Sequence, residues 1–180
     1  PATGNSVEVG DPPGSVYQIM PFQDKLYFCG YVSFLAEYDP SQPYAFNKLK
    51  GEGGVDFAAD VNPKRYRTNT KWSAHMIGGP DGHIYIGGYD GRHHPGGGLS
   101  IFDPKTKQME HLHEPWFKYL GVRGLAILNG GRTLAITTAP VGQRQNMPAD
   151  LDRGSIFLYD FAEKKIVKEV KLNFKASPDQ

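Results

Sequence analysis

Short apolar segments separated by turn formers run the length of the chain. The clearest series occupies residues 75–106, HMIGGPDGHIYIGGYDGRHHPGGGLSIFDPKT. Its apolar pieces at 75–77, 83–86 and 99–102 are closed by Gly-Pro-Asp-Gly at 79–82, a glycine-rich stretch at 87–98, and Asp103-Pro104. Apolar runs of this length bounded by Gly, Pro and Asp predict strands joined by tight turns. Residues 108–112 alternate polar and apolar and complete a four-stranded antiparallel meander. The same order of pieces precedes it, with strands at 16–20, 25–29 and 34–38 closed by Asp39-Pro40. It also follows, with strands at 125–128, 133–137, 155–159 and 165–170.

These units align. Leu26-Tyr27-Phe28, Ile84-Tyr85-Ile86 and Leu134-Ala135-Ile136 share one position, and Asp39, Asp103 and Asp160 close another. Offsets run from 50 residues (84 to 134) to 64 (39 to 103) because loop lengths differ. A four-stranded unit repeating at roughly 40–50 residues is the sequence signature of a β-propeller blade. The grammar of apolar strand, Pro-Asp-Gly turn, Ile-Tyr-Ile-Gly-Gly, loop and Leu-x-Ile-Phe-Asp-Pro resembles that of streptogramin-lyase, NHL and gluconolactonase-like propellers. The resemblance covers nearly the whole chain and implies a superfold rather than one family.

The expected fold is therefore all-β, a propeller of three four-stranded antiparallel blades forming half a ring. Its parts are an orphan outer strand at 1–13, a first blade at 14–50, and a long crossover at 51–73. A second blade at 74–115, a third at 116–172 and a tail at 173–180 follow. Three blades cannot close a ring, since propellers have about 4–8, and the end blades would each expose an apolar sheet face. The expected partner is the other half of the ring, supplied by a second chain, a second copy or further residues.

Composition fits this picture. Gly (22) and Pro (14) make one residue in five of 180 a turn former, which argues for many short strands. A formal net charge of +1 gives no global field directed at nucleic acid or an anionic membrane. No run approaches spanning length. The first ten residues, PATGNSVEVG, lack the apolar core of a signal peptide. Starting at Pro1 without Met, the chain is expected to be a processed or truncated product. One cysteine, Cys29, excludes an internal disulfide and reads as a small core residue.

Blade topology then sorts the chemistry. The turns at 23–24, 39–40, 80–82, 103–104 and 129–131 share the base, where Asp, Pro and Gly serve turn geometry. The opposite rim receives the long loops, which commonly carry function on a rigid scaffold. It is expected to gather Arg65, Tyr66, Arg67 and Trp72 from the crossover, Tyr89, Arg92, His93 and His94 from the second blade, and Arg144 from the third. The innermost strands add Tyr17, His75 and Arg123 as candidate catalytic residues. Arginine grips a carboxylate, sulfate or phosphate in a fork, and histidine exchanges protons near neutrality. On a uronic-acid sugar such a trio would suit β-elimination, with Arg123 on the carboxylate and His75 or Tyr17 taking the α-proton; some polysaccharide lyases resemble this chain in being propellers. His75, His93 and His94 are the candidate ligands for a divalent metal, although no third ligand stands at a diagnostic spacing. The expected function is binding of an anionic or polar ligand such as a carbohydrate, with lyase or hydrolase chemistry. The alternative is a non-catalytic propeller for protein–protein interaction or scaffolding.

Overall fold

The computed structural model describes residues 12–46, 57–58, 60–90, 96–141 and 153–172. It is all-β, with one 3-10 turn at 129–131 and no α-helix among the described residues. Among the described residues no helix is long and apolar enough to cross a membrane. Strands β1 (Ser15–Phe22), β2 (Lys25–Tyr31), β3 (Phe34–Tyr38) and β4 (Lys64–Arg67) pair consecutively as an antiparallel meander. So do β5 (Trp72–Gly78), β6 (Ile84–Tyr89), β7 (Gly97–Phe102) and β8 (Met109–Leu112). The third set is β9 (Leu120–Leu128), β10 (Thr133–Pro140), β11 (Ser155–Asp160) and β12 (Lys165–Lys171). A single register pair, Tyr31 with Trp72, fuses the first two meanders into one eight-stranded sheet; the third is a separate four-stranded sheet.

Side-chain alternation explains why the second meander reads as almost continuously apolar. Successive residues of a strand face opposite ways. Ile84 and Ile86 enter one core with Tyr27, Cys29, Leu35, Met76 and Phe102. Tyr85 enters the other with Leu99, Val122, Leu134, Ile136 and Phe157. The second meander is thus covered on both faces, as an internal layer must be. Gly87 extends the same parity: a methyl group there would lie 2.9 Å from Val122 Cβ and closer still to Cγ1, so β6 approaches β9 more closely than any side chain allows.

Polar ties reinforce the stacking. The Gln18 amide accepts from Met76 N–H (2.6 Å) and donates to Met76 C=O (2.8 Å). Glu37, only 7% exposed, receives Lys25 Nζ at 2.6 Å and Lys107 Nζ at 2.7 Å, so a carboxylate of the first meander is gripped from the second. Gly96 N–H donates to Val141 C=O (3.0 Å), linking the second meander to the third.

The sequence boundaries need one correction. Lys64–Arg67 is not part of a crossover but is the fourth strand of the first meander, paired with β3. The long insertion therefore joins β3 to β4 at the base. Asn62 anchors it by accepting Asp39 N–H (2.9 Å) and donating to the carbonyls of Asp39, Gln42 and Pro43. Only residues 68–71 connect the first meander to the second at the rim. A four-residue strand carrying three cations lacks the apolar signal that marks the others.

Candidate functional site

Each first strand contains a bulge at the same height. In β1 the register skips between Val16 and Gln18, in β5 between Ser73 and His75, and in β9 between Val122 and Gly124. The extra residues are Tyr17, Ala74 and Arg123. A bulge re-aims side chains at a sheet edge, and two of these three reach the same rim cluster. Gly30 and Gly88 stand opposite the first two bulges, where any side chain would strike the carbonyl oxygen of Ser15 or Trp72. Thr138 holds that place in the third meander and turns its hydroxyl to the Ser155 backbone.

The residues after those glycines, Tyr31 and Tyr89, flank Trp72 across the sheet. Centroids are 5.5 Å apart for Tyr31 and Trp72, and 5.6 Å for Trp72 and Tyr89, the latter rings lying only 10° from parallel. Arg123 closes the row, its guanidinium carbon 4.3 Å from the Tyr89 centroid. Lys71 Nζ covers the other end, 5.6 Å from Tyr31 and 5.1 Å from Trp72. Cross-strand aromatic pairs and cation–π contacts stabilise such rows. Tyr17 is 48% exposed; its hydroxyl is held above the ordinary range, chiefly by desolvation and then by the nearby Tyr89 and Tyr31 phenols. Among the described residues neither Arg123 nor Lys71 is ion-paired with a carboxylate.

His75 stands one residue below the bulge. It matches Gln18 and Gly124 rather than Tyr17 and Arg123, and lies half-buried on the side of the third meander. Burial first, and Arg123 second, push its pKa down. The ring is neutral at pH 7 and available as a proton acceptor.

Other candidates are placed differently. Arg65 is buried and paired: Asp60 takes its Nε at 2.6 Å and its Nη2 at 3.0 Å, and the Phe46 and Phe57 ring centroids lie 4.9 and 4.5 Å from its guanidinium carbon. Tyr66 packs on Phe102 in the core, and Arg67 lies over Phe57. As β4 residues, all three sit two strands out from Tyr31, the nearest member of the row, roughly 10 Å at normal strand spacing, and none contributes to the cluster. Arg92, His93, His94 and Arg144 lie outside the described residues, and with them two of the three candidate metal ligands. Among the described residues no three His, Cys, Asp or Glu side chains are arranged to hold a metal ion.

A cleft of about 240 Å³ lies elsewhere, at the base between the second and third meanders, lined by Asp81, His83, Tyr85, Glu110 and Tyr159 among others. Its two aspartates have structural duties. Asp81 accepts Tyr85 O–H at 2.8 Å and His83 N–H at 3.3 Å. His83 Nδ1 lies 3.1 Å from Asp81 Oδ2, close enough for an ion pair but off the line of a hydrogen bond. Asp103 caps its own turn through Lys105 N–H and Thr106 O–H. The rim, whose Lys71 and Arg123 side chains have no carboxylate ion pair among the described residues, is the better candidate. Sequence reasoning overlooked Tyr31 and Lys71 there, although Gly30-Tyr31 and Gly88-Tyr89 align as equivalent pairs. The chain matches no protein-family model, and no curated protein matches it.

Proposed function

We propose that the three meanders are blades of a β-propeller, half of its ring, and that the rim binds an anionic, hydroxyl-rich ligand of the acidic-carbohydrate class. The observation that carries this is the convergence of Tyr17, Tyr31, Trp72, Tyr89, Lys71 and Arg123 from all three meanders onto one edge. Phenol and guanidinium edges offer several donors to one oxyanion, and the guanidinium face stays on Tyr89 while its N–H edge remains for the ligand.

The ring reading draws on the outer faces of the end meanders. The first leaves Ile19 exposed beside Phe28, with which it pairs, and the third exposes Leu128 and Val170. Such faces suit further blades from another chain, a second copy or further residues. They also support the second reading, a propeller that serves mainly to assemble with proteins.

For catalysis, Arg123 would neutralise a uronate carboxylate and neutral His75 would take the α-proton, since Tyr17, its pKa raised, stays protonated. The C–O bond to the leaving sugar then breaks, with formation of an unsaturated uronate. Binding of polygalacturonate to the wild type and to Arg123→Ala and Lys71→Ala tests the ligand reading; unchanged affinity in both variants refutes it. Ultraviolet absorbance of unsaturated product, compared with His75→Asn and Tyr17→Phe, tests the lyase reading. Binding without turnover on any acidic polymer leaves a binding propeller.

A further inference from the structure

We infer that the cleft at the base, between the second and third meanders, is a second ligand site and takes a linear diammonium ion of the polyamine class. The register builds it. Tyr85 pairs with Ile101 and Ile101 with Glu110, so all three share the face turned to the third meander. His83, two residues before Tyr85, points the same way. Tyr159 of β11 closes the cleft from opposite, its ring centroid 5.6 Å from that of Tyr85. The enclosed space is about 240 Å³ and lies wholly within the described residues.

One end carries fixed acceptors. Asp81 is folded back over its own turn, where a side chain on Gly79 would strike its Oδ1. Tyr85 O–H at 2.8 Å and His83 N–H at 3.3 Å hold the carboxylate there, and each oxygen keeps a further lone pair. His83 adds an observation independent of the acids. Its Nδ1 is buried without a hydrogen-bond partner, 3.1 Å from Asp81 Oδ2. A buried ring nitrogen beside a carboxylate oxygen calls for a donor that serves both. With the imidazole proton on Nε2, one primary ammonium supplies N–H groups to each. The other end is Glu110, two strands from Tyr85, about 10 Å at normal strand spacing. It has no ion pair among the described residues. Between the ends lie Ile101 and the two tyrosines, an apolar middle suited to methylene groups. Two anionic ends and an apolar centre match a short alkane with an ammonium at each end. They do not suit a metal ion, for which no three ligands are arranged among the described residues. Lys164, on the turn between β11 and β12, is the one lysine of the lining and competes with an incoming cation.

The test is NMR titration of the full chain at fixed ionic strength, following the ring resonances of His83 and Tyr159. The probes are butane-1,4-diamine, n-butylamine and hexamethonium, which carries two charges but no N–H group. The expected result is a saturable shift of both rings, with the diamine roughly fivefold tighter than butylamine and hexamethonium weakest. Glu110→Gln should bring the diamine down to the level of butylamine. His83→Phe keeps a ring without the acceptor and should weaken both amines, whereas His83→Asn returns an acceptor and should recover part of the loss. Lys164→Ala should tighten the diamine. Thermal unfolding of each variant shows that the fold is kept. Absence of saturable shifts, or hexamethonium bound as tightly as the diamine, reduces the cleft to an acidic surface and overturns the inference. So does a Glu110→Gln variant that keeps the full preference for the diamine, or a folded His83→Phe variant with wild-type affinity. None of these outcomes bears on the rim.

Discussion

Adding one methyl group at Gly87 would test how the third meander sits on the second. That methyl would lie 2.9 Å from Val122 Cβ and nearer to Cγ1, against about 3.5–4.0 Å for a relaxed carbon contact. Val122 is fully buried and β-branched, so it has no flexible end to swing aside. Gly87→Ala should therefore cost about 1–3 kcal/mol through overpacking. Val122→Ala alone removes two methyl groups, about 1.6 kcal/mol of transfer free energy, with some cavity cost added. In the double variant the new methyl occupies the vacated space. Its loss should fall short of the sum of the single losses by about 1–3 kcal/mol, a coupling that a double-mutant cycle resolves. Urea unfolding is the assay. At a slope near 2 kcal/mol/M, a loss of about 2 kcal/mol moves the midpoint by about 1 M. A Gly87→Ala midpoint indistinguishable from wild type, or strictly additive losses, would refute the close approach of β6 to β9.

Glu37→Gln removes the carboxylate held by Lys25 and Lys107; since both lysines are partly exposed, the expected cost is about 2 kcal/mol. Desolvation raises the pKa of Glu37, but its two lysine contacts outweigh that and hold it below the usual 4.5. The stabilisation is thus present above that value and lost progressively as pH falls below it, so acid titration of stability should be shallower in the variant. Asp60→Ala leaves buried Arg65 unpaired and should cost about 3–5 kcal/mol without changing rim binding, measured by denaturation and ligand titration together. His75 should titrate below 6.5 by NMR and move upward in Arg123→Ala, though not fully, because burial remains. Cys29, buried with its thiol pushed up to about 12, should resist alkylation until the chain unfolds.

Strand order was legible because turn chemistry punctuates it: Pro80-Asp81-Gly82 closes the β5–β6 hairpin and Asp103-Pro104 the β7–β8 hairpin. The unit alignment through Leu26, Ile84 and Leu134 coincides with the observed register. The β4 strand was not legible, because Arg65 reaches the interior only by pairing with Asp60 and the phenyl rings, a tertiary solution that no local pattern announces. The rim was half legible. Tyr17 and Arg123 stood out at strand starts, while Trp72 and Tyr89, read as residues of the long loops, prove to be the first residue of β5 and the last of β6. The bulges were invisible, and with them the one-residue offset that separates His75 from Ala74. A register skip is set by backbone pairing, and only the Gly30 and Gly88 positions hint at it.

The row from Lys71 to Arg123 has a mechanical consequence. Tyr31 belongs to the first repeat, Trp72 and Tyr89 to the second, and Arg123 to the third, so the row crosses both seams between repeats. Within each meander the hairpins form locally, and the two buried cores and a few polar ties join successive meanders elsewhere. A ligand seated on this row would hold three repeats with one set of contacts. Occupancy would then register as cohesion of the whole assembly, in the manner of a keystone, because a ligand that binds only the joined state favours joining.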